Sequence, residues 1–330
     1  MTGASKFIRT TPLETAVLFL VFNRLDTVKQ VFKEIRRAKP PRIYIAADGA
    51  RDFVEGESEK VNAVRDHIIN NIDWKCDVKT LFRDKNLGCK IAVSSAISWF
   101  FENEEMGIIL EDDCFPSQSF FWYCEELLEK YKNNNRVMHI AGMTYVEHPH
   151  NINNYSYHFA RVGGIWGWAS WKRAWDLYEI EMESYPQAKE EKIFDDLFVG
   201  EKEMKNLYLN WFDKAYGNTH TWDFQWTYTK IINNSINIMP ARNLVKNIGH
   251  GSEDATHTVT DAGIYSSIEL KELVFPLIHP KFFVIDRLFN YINFKFNTSK
   301  KFMSNVYYYI DATFPKYITS RLKSIKRKFS

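Results

Sequence analysis

Three consecutive carboxylates, Glu111, Asp112 and Asp113, directly follow a short apolar run at residues 107–110. Such a run predicts a strand buried on both faces, as in a parallel sheet covered by helices. Ligands of these sheets bind at the carboxyl ends of the strands. Adjacent carboxylates repel one another unless a cation lies beside them, and hard oxygen ligands suit Mg²⁺ or Mn²⁺ together with phosphate oxygens. The run therefore predicts a divalent metal holding a nucleotide diphosphate, with an acidic helix start capped by Ser117 as the alternative.

The elements that position these acids alternate between strand-like and helix-like patterns. Strand-length apolar runs and amphipathic stretches with a 3.6-residue period follow one another up to about residue 140. The predicted strands are residues 16–22, 42–47, 78–82 and 107–110, and the predicted helices follow Asp26, cover 58–69 and 91–101, and begin after Ser117. This alternation predicts an α/β fold with a mostly parallel central sheet and helices on both faces. Glycine-rich phosphate loops of the dinucleotide or P-loop type are missing from the sequence, so phosphate charge must be neutralised in another way.

A second group of candidate residues lies in a glycine- and tryptophan-rich segment. Residues 163–171 contain three Gly and three Trp, which is too much glycine for an ordinary helix. Trp offers a flat apolar face that suits the C–H faces of sugars, so Trp166 and Trp168 predict an acceptor platform. A buried turn with core Trp is the alternative.

Two further candidates are Asp223 and His257. Asp223 lies between Trp222 and Trp226, where loss of hydration would raise the pKa of a carboxylate and suit a general base. A structural Asp at a helix start is the alternative. His257, in the loop after residue 249, is a candidate metal or phosphate ligand, although a loop His is more often only solvated.

Composition and charge limit the class of protein. The chain of 330 residues has a net charge of +2, but residues 281–330 carry eleven Lys and Arg against two Asp. This asymmetry predicts an anionic membrane surface, rather than nucleic acid, as a partner of the tail, with a solvated tail as the alternative. The four Cys have no paired spacing, which argues against a zinc site or a disulfide framework and for a reducing compartment. We expect no signal peptide and no membrane-spanning segment.

With these residues in hand, the sequence resembles the GT-A-fold, nucleotide-sugar-dependent glycosyltransferases. The segments that carry the resemblance, in order, are L-V-F-N-R-L-D, I-A-A-D-G, R-D-K-N-L-G-C and I-I-L-E-D-D. More narrowly, the set is similar to the N-acetylglucosaminyltransferase I family and its bacterial relatives, in which an E-D-D motif holds the metal and a W-D-D-W segment supplies the base. Residues 222–226 differ from that segment by one extra residue between the two Trp.

The resemblance implies a role for each matching residue. Asp113 would be the direct metal ligand, with Asp112 beside the ribose and Glu111 behind the site, and Asp223 would deprotonate the acceptor hydroxyl. The residues implied to meet the nucleotide or its diphosphate are Phe22, Asn23, Arg24, Asp48, Arg83, Asn86, Gly88, Glu111 and Asp112. His257 is a further metal candidate from its place in the loop, and Trp166, Trp168 and Trp222 are the acceptor candidates from their aromatic faces.

We therefore expect a GT-A, Rossmann-like domain at residues 12–270, with a nucleotide-sugar half at 12–140 and an acceptor half at 141–270, followed by a basic, aromatic and helical extension at 271–330. The predicted function is Mn²⁺- or Mg²⁺-dependent transfer of a sugar, most simply from a UDP-sugar, to a saccharide or glycolipid acceptor with inversion. The alternatives are a retaining transferase, a sugar nucleotidyltransferase and a lectin-like carbohydrate-binding protein. The predicted setting is the cytoplasm, at the inner face of the membrane, in the synthesis of surface polysaccharide or glycan.

Overall fold

The structure is a computed structural model that describes residue 7 and residues 11–147, 153–217, 220–249 and 268–298. Within these ranges the strands are β1 Val17–Val21, β2 Arg42–Ala47, β3 Asp77–Phe82, β4 Met106–Glu111, β5 Cys114–Pro116, β6 Val137–Ala141, β7 Tyr157–Ala160, β8 Trp168–Trp171, β9 Ile236–Pro240 and β10 Val245–Asn247. The helices are α1 Leu25–Ala38, α2 Glu57–Asn70, α3 Gly88–Asn103, α4 Gln118–Tyr131, α5 Lys172–Trp175, α6 Tyr185–Glu190, α7 Ile193–Leu197, α8 Lys202–Ala215, α9 Asp223–Ile232 and α10 Arg287–Thr298.

One large, mainly parallel sheet organises the described residues. Its strand order is β3-β2-β1-β4-β8-β6-β9-β7, and β5 pairs with β10 in a separate two-stranded sheet. Strands β1, β2, β3 and β4 run parallel, with Leu20 opposite Glu111 and Val21 opposite Ala47. Because parallel strands end at the same edge, the residues that follow β1, β2 and β4 gather there.

The sheet is buried on both faces because alternate residues of its strands point to opposite sides. Val17, Phe19 and Val21 belong to one apolar cluster, which also receives α1, α2 and α4. Leu18 and Leu20 belong to the opposite cluster, which receives α3, α5 and α9. The α/β class and the mainly parallel sheet with helices on both faces confirm the predicted fold class. The predicted strand and helix positions up to residue 131 are also confirmed, with small shifts at their ends.

Beyond residue 140 the structure differs from the sequence expectation in two places. Residues 168–171, predicted as part of a glycine-rich loop, form strand β8, which inserts antiparallel between β4 and β6 with Trp168 opposite Ile109. The sequence pattern over residues 239–249 is that of one strand, but the structure divides it between the end of β9 and the separate strand β10. Both differences come from pairing between distant segments, which local sequence patterns do not contain.

Residues 179–210 are rich in charged residues, which is typical of a surface segment, yet they contribute to a third apolar cluster. Tyr185, Phe194 and Tyr208 are buried there against Tyr228 of α9. The outer face of α9 therefore has its own core beneath the helices α6, α7 and α8.

The described part of the C-terminal region packs on the same domain. Leu273 and Leu277 join the cluster that holds α1 and α4, and Glu272 accepts hydrogen bonds from the first backbone N–H groups of α4. The basic segment 299–330 lies outside the described residues, so the predicted membrane contact of the tail remains a prediction. No helix in the described ranges combines the length and the apolar character needed to cross a bilayer.

Candidate active site

The carboxyl ends of β1 and β4 bring Arg24, Asp112 and Asp113 into direct contact. Arg24 immediately precedes α1, and its Nη2 donates to Asp113 Oδ2 at 3.0 Å and also to Asp112 Oδ1. The three side chains are 20%, 7% and 16% exposed, in that order. One guanidinium thus faces two carboxylates, so the cluster carries a net charge of about −1 with both acids ionised.

Electrostatics within this cluster work in opposite directions. Burial raises the pKa of Asp112, and although Arg24 lowers it and Asp113 raises it again, the pKa settles at about 6. Burial disfavours the charge on Arg24, but Asp112 and Asp113 outweigh it and raise the pKa of the guanidinium further. Arg24 is therefore a permanent cation, whereas Asp112 is poised between its neutral and charged forms near pH 6.

Gly249 closes the cluster from the other side. The backbone N–H of Ile248 donates to the carbonyl oxygen of Asp113 at 2.8 Å, which follows from the pairing of β10 with β5. A Cβ at Gly249 would lie 2.5 Å from Asp113 Oδ2 and 2.6 Å from Arg24 Nη1. The position therefore requires glycine, because any side chain would displace either the carboxylate or the guanidinium.

The protein side chains at this edge can supply only part of the coordination shell of a divalent cation. Among the described residues, no three His, Cys, Asp or Glu side chains converge closely enough to hold a metal by themselves. Asp113 can supply one hard carboxylate, and Mg²⁺ or Mn²⁺ commonly takes one or two protein carboxylates, phosphate oxygens and water. The residues fit such an ion when a diphosphate and water complete its coordination shell and Arg24 moves away from Asp113. His257, the other predicted metal ligand, lies outside the described residues.

Glu111 faces the opposite side of the sheet, toward α3 and α9. By strand alternation it shares the face of Ile109, which belongs to the same apolar cluster as Trp222. Burial raises the pKa of Glu111 well above its usual value, and the charges of Asp113, Asp112 and Asp223 raise it further. Glu111 and Asp223 are therefore close enough at the carboxyl edge for their charges to act on each other.

Cys89, in the first turn of α3, lies near the same two carboxylates. Partial loss of hydration, together with the charges of Glu111, Asp223 and Asp48, raises the pKa of its thiol, although the side chain is exposed. The thiol is protonated at neutral pH, and because thiolates are the reactive form of cysteine, this position does not suit a nucleophile. Cys89 was not singled out as a candidate from the sequence, although it ends the R-D-K-N-L-G-C segment that carries the resemblance.

Asp223 is the first residue of α9, and Trp222 precedes it as the helix cap. Its charge raises the pKa values of Glu111 and Tyr178, while Tyr178 Oη donates to the carbonyl oxygen of Trp222 at 3.1 Å. Asp223 lies at the N-terminal end of α9, where the helix dipole favours a negative charge. The structure thus places this carboxylate at the same edge as Glu111, on an element anchored by buried Trp.

Asp48 has a structural task that the sequence reading did not foresee. Its carboxylate accepts hydrogen bonds at 3.0 Å from the backbone N–H groups of Gly49, Leu87 and Gly88. It therefore ties the end of β2 to the first turn of α3. Asn86 belongs to the same turn, because its Nδ2 donates to the carbonyl oxygen of Gly49 at 2.7 Å.

The remaining predicted nucleotide residues lie around this edge but do not converge on one point. Asn23 is buried, and its Nδ2 donates to Glu57 Oε1 at 2.9 Å. Arg83 donates to Ser95 Oγ at 2.7 Å. Phe22 lies below the Arg51 guanidinium, 5.8 Å from the centre of the ring. The ion pair between Glu57 and Arg51, which holds Asn23 and packs on Phe22, was not singled out from the sequence.

The predicted acceptor platform needs correction. Trp168 and Trp222 are 0% and 2% exposed, and their rings stack on each other with centroids 5.9 Å apart. Neither ring has an open face for a sugar, because both are enclosed in the core beneath α9. Trp166 alone of the three is partly exposed, beside Tyr145 at 6.5 Å, so the acceptor role of Trp166 stays a prediction.

Two buried basic side chains hold the segment that leads to Trp166. His139 Nε2 donates to the carbonyl oxygen of Gly164 at 2.9 Å, while its Nδ1 accepts from Trp226 Nε1 at 3.3 Å. Lys230 Nζ donates to the carbonyl oxygen of Gly163 at 3.2 Å. Burial lowers the pKa of His139 well below its usual value, so the ring is neutral in this arrangement.

We expect Lys230→Met to stabilise the protein more at pH 6 than at pH 9. Burial lowers the pKa of Lys230 to about 7, although Asp223 opposes the shift, whereas an unfolded Lys titrates at about 10.4. Below pH 7 the folded protein bears the full cost of a buried cation, and between these two values the native state binds fewer protons, so stability rises with pH. The gain at pH 6 should be on the order of 1–4 kcal/mol by urea unfolding. The exposed Lys33→Met is the control, and an equal gain for Lys230→Met at both pH values would contradict the buried charge.

Comparison with known proteins gives limited similarity. No model of a known protein family matches the sequence, and neither does any curated protein. A mannosyltransferase from Pyrobaculum calidifontis, solved with GDP-Man and Mn²⁺, matches 51% of this chain at 11% identity and a TM-score of 0.32. HddC from Yersinia pseudotuberculosis matches 52% at 11% identity and 0.31, and an apo UDP-glucose pyrophosphorylase matches 68% at 10% identity and 0.34.

The extent of these matches on the other proteins differs. This chain spans 48% of the mannosyltransferase chain, 85% of HddC and 90% of the pyrophosphorylase. TM-scores and identities this low carry neither a ligand nor a reaction over to this chain.

Proposed function

We propose that this protein is a metal-dependent glycosyltransferase that moves a sugar from a nucleoside-diphosphate-sugar donor, most simply a UDP-sugar, to a saccharide or glycolipid acceptor with inversion. The observation that carries the proposal is that Asp112 and Asp113 follow β4 at the carboxyl edge of a mainly parallel sheet, with Glu111 and Asp223 near enough for the charges to act on one another. Neighbouring carboxylates raise one another's pKa unless positive charge lies beside them. Arg24 provides one positive charge at this edge, and a divalent ion bound together with a diphosphate would provide more.

The residues divide the chemistry between them. Asp113 is the carboxylate that would hold the cation, and the ion, when bound, neutralises charge on the leaving diphosphate. Asp223 accepts the proton of the acceptor hydroxyl. The hydroxyl oxygen attacks the anomeric carbon as the bond from that carbon to the diphosphate breaks. Asp48 and Asn86 fix the first turn of α3 beside the site, which keeps the nucleotide edge rigid.

The packing of Trp168 and Trp222 weighs against the lectin-like alternative. A binding module of that kind needs open aromatic faces, and these two rings are enclosed. A sugar nucleotidyltransferase would need a glycine-rich loop with a basic residue after the first strand, whereas Phe22, Asn23, Arg24 and Leu25 stand there.

The decisive experiment is a panel of UDP-, GDP- and dTDP-sugars assayed for Mn²⁺-dependent hydrolysis. We expect one nucleotide class to be hydrolysed and UDP with Mn²⁺ to raise the melting temperature. NMR of the transferred sugar then separates inversion from retention by the anomeric configuration of the product. Release of pyrophosphate from a nucleoside triphosphate in the presence of a sugar 1-phosphate, without hydrolysis of any sugar nucleotide, would identify a nucleotidyltransferase instead.

A further inference from the structure

Arg24 occupies the position where a cation is needed at the carboxyl edge. Its guanidinium bonds to both Asp112 and Asp113, and Gly249 packs against Arg24 and Asp113. The side chain of Arg24 is only 20% exposed, so this is an enclosed contact rather than a loose surface pair. The chain therefore carries its own counter-ion for the predicted metal ligand.

A divalent ion and this guanidinium compete for the same carboxylate oxygens. Arg24 Nη2 lies 3.0 Å from Asp113 Oδ2, which is the space that a metal bound to that oxygen would need. Two cations at such a separation repel strongly in a partly buried site, because water screens them poorly there. Binding of the ion to Oδ2 of Asp113 therefore requires Arg24 to leave this oxygen.

We propose that Arg24 keeps divalent cations off Asp113 until a diphosphate arrives, so that metal and nucleotide bind cooperatively. The inference rests on the proposed function. A diphosphate brings several anionic oxygens to the edge, and these offset the added charge of the ion while the guanidinium moves aside. By linkage, the nucleotide then tightens metal binding by the same factor by which the metal tightens nucleotide binding. Arg24 sets the size of this coupling and is a positioning residue.

The test is a calorimetric titration of the nucleotide-free protein with Mn²⁺ alone. We expect wild type to bind Mn²⁺ at least about tenfold more weakly than Arg24→Met, because the variant exposes the carboxylates to the ion. Arg24→Lys, which keeps the charge but cannot bridge both acids in one plane, should fall between them and serves as the measurement if Arg24→Met does not fold. Adding Asp113→Asn to Arg24→Met should abolish the gain.

Arg36→Met is the matched control on the same helix, since Arg36 pairs with Asp73 at the surface. It should leave Mn²⁺ binding unchanged. Equal Mn²⁺ affinity of wild type and both Arg24 variants would overturn the inference. This titration contains no nucleotide, so it tests the competition at Asp113 independently of the proposed function. The proposed function would be refuted separately, by a protein that neither binds nor turns over any nucleotide sugar.

A second titration measures the coupling. With saturating UDP, the Mn²⁺ affinity of wild type should rise by a larger factor than that of Arg24→Met. An equal rise in both proteins would show that Arg24 does not link the two ligands.

Discussion

Asp223→Asn is expected to lower kcat by about 10²–10⁴-fold while donor affinity changes little. The amide keeps the size and shape of the side chain at the start of α9 but cannot accept the proton of an acceptor hydroxyl. Trp222 and Trp226, which anchor the helix start, are untouched by the change. The measurement is the transfer rate at saturating donor and acceptor, together with the dissociation constant of UDP in the presence of Mn²⁺.

The control for this variant is Asp176→Asn, which removes a carboxylate of the neighbouring short helix. Asp176 pairs with Lys172 at 2.8 Å, and its side chain is 54% exposed. This variant should transfer sugar at the wild-type rate. Transfer at the wild-type rate by Asp223→Asn as well would show that another group accepts the proton.

The fold was predictable where local patterns decide it. Residues 42–47 were predicted as a strand and form β2 with the same bounds, because an apolar run between a Pro pair and a Gly turn has few other solutions. The parallel arrangement followed from the alternation of strands and helices, since crossover connections restrict the topology. The same logic placed Glu111, Asp112 and Asp113 at a sheet edge.

The Trp segment shows where such reasoning ends. Residues 168–171 form a strand because β4 and β6 offer free edges on either side, and both partners are distant in sequence. Trp168 is buried by residues of β6 and α9 that no local pattern connects to it. Aromatic side chains serve a core and a binding face equally well, so residue type alone could not separate the two roles.

The buried basic residues illustrate a second limit. Lys230 lies in an amphipathic stretch where a Lys is ordinarily solvated, yet it is fully buried beneath the Gly163 segment. The contact of Arg24 with Asp112 and Asp113 was likewise open to prediction only in part. Arg24 and the acids follow neighbouring parallel strands, which brings them to the same edge, but whether they face each other depends on the turn into α1.

Asp113→Ala should abolish the metal-dependent part of nucleotide binding. Asp113 lies at the carboxyl edge with its side chain 16% exposed, and its removal leaves Arg24 paired with Asp112 alone. In calorimetric titrations, Mn²⁺ should tighten UDP binding to wild type by at least about tenfold, or 1.4 kcal/mol, and should have no effect on the variant. Asp73→Ala, which removes an exposed partner of Arg36, is the control and should retain the full Mn²⁺ effect.

Because UDP binding in the presence of EDTA is measured alongside, a general loss of nucleotide affinity is distinguished from the loss of a metal ligand. If Asp113→Ala binds UDP as tightly as wild type with Mn²⁺ present, the ion is held elsewhere or is not used, and the pairing of Asp113 with Arg24 is then only structural.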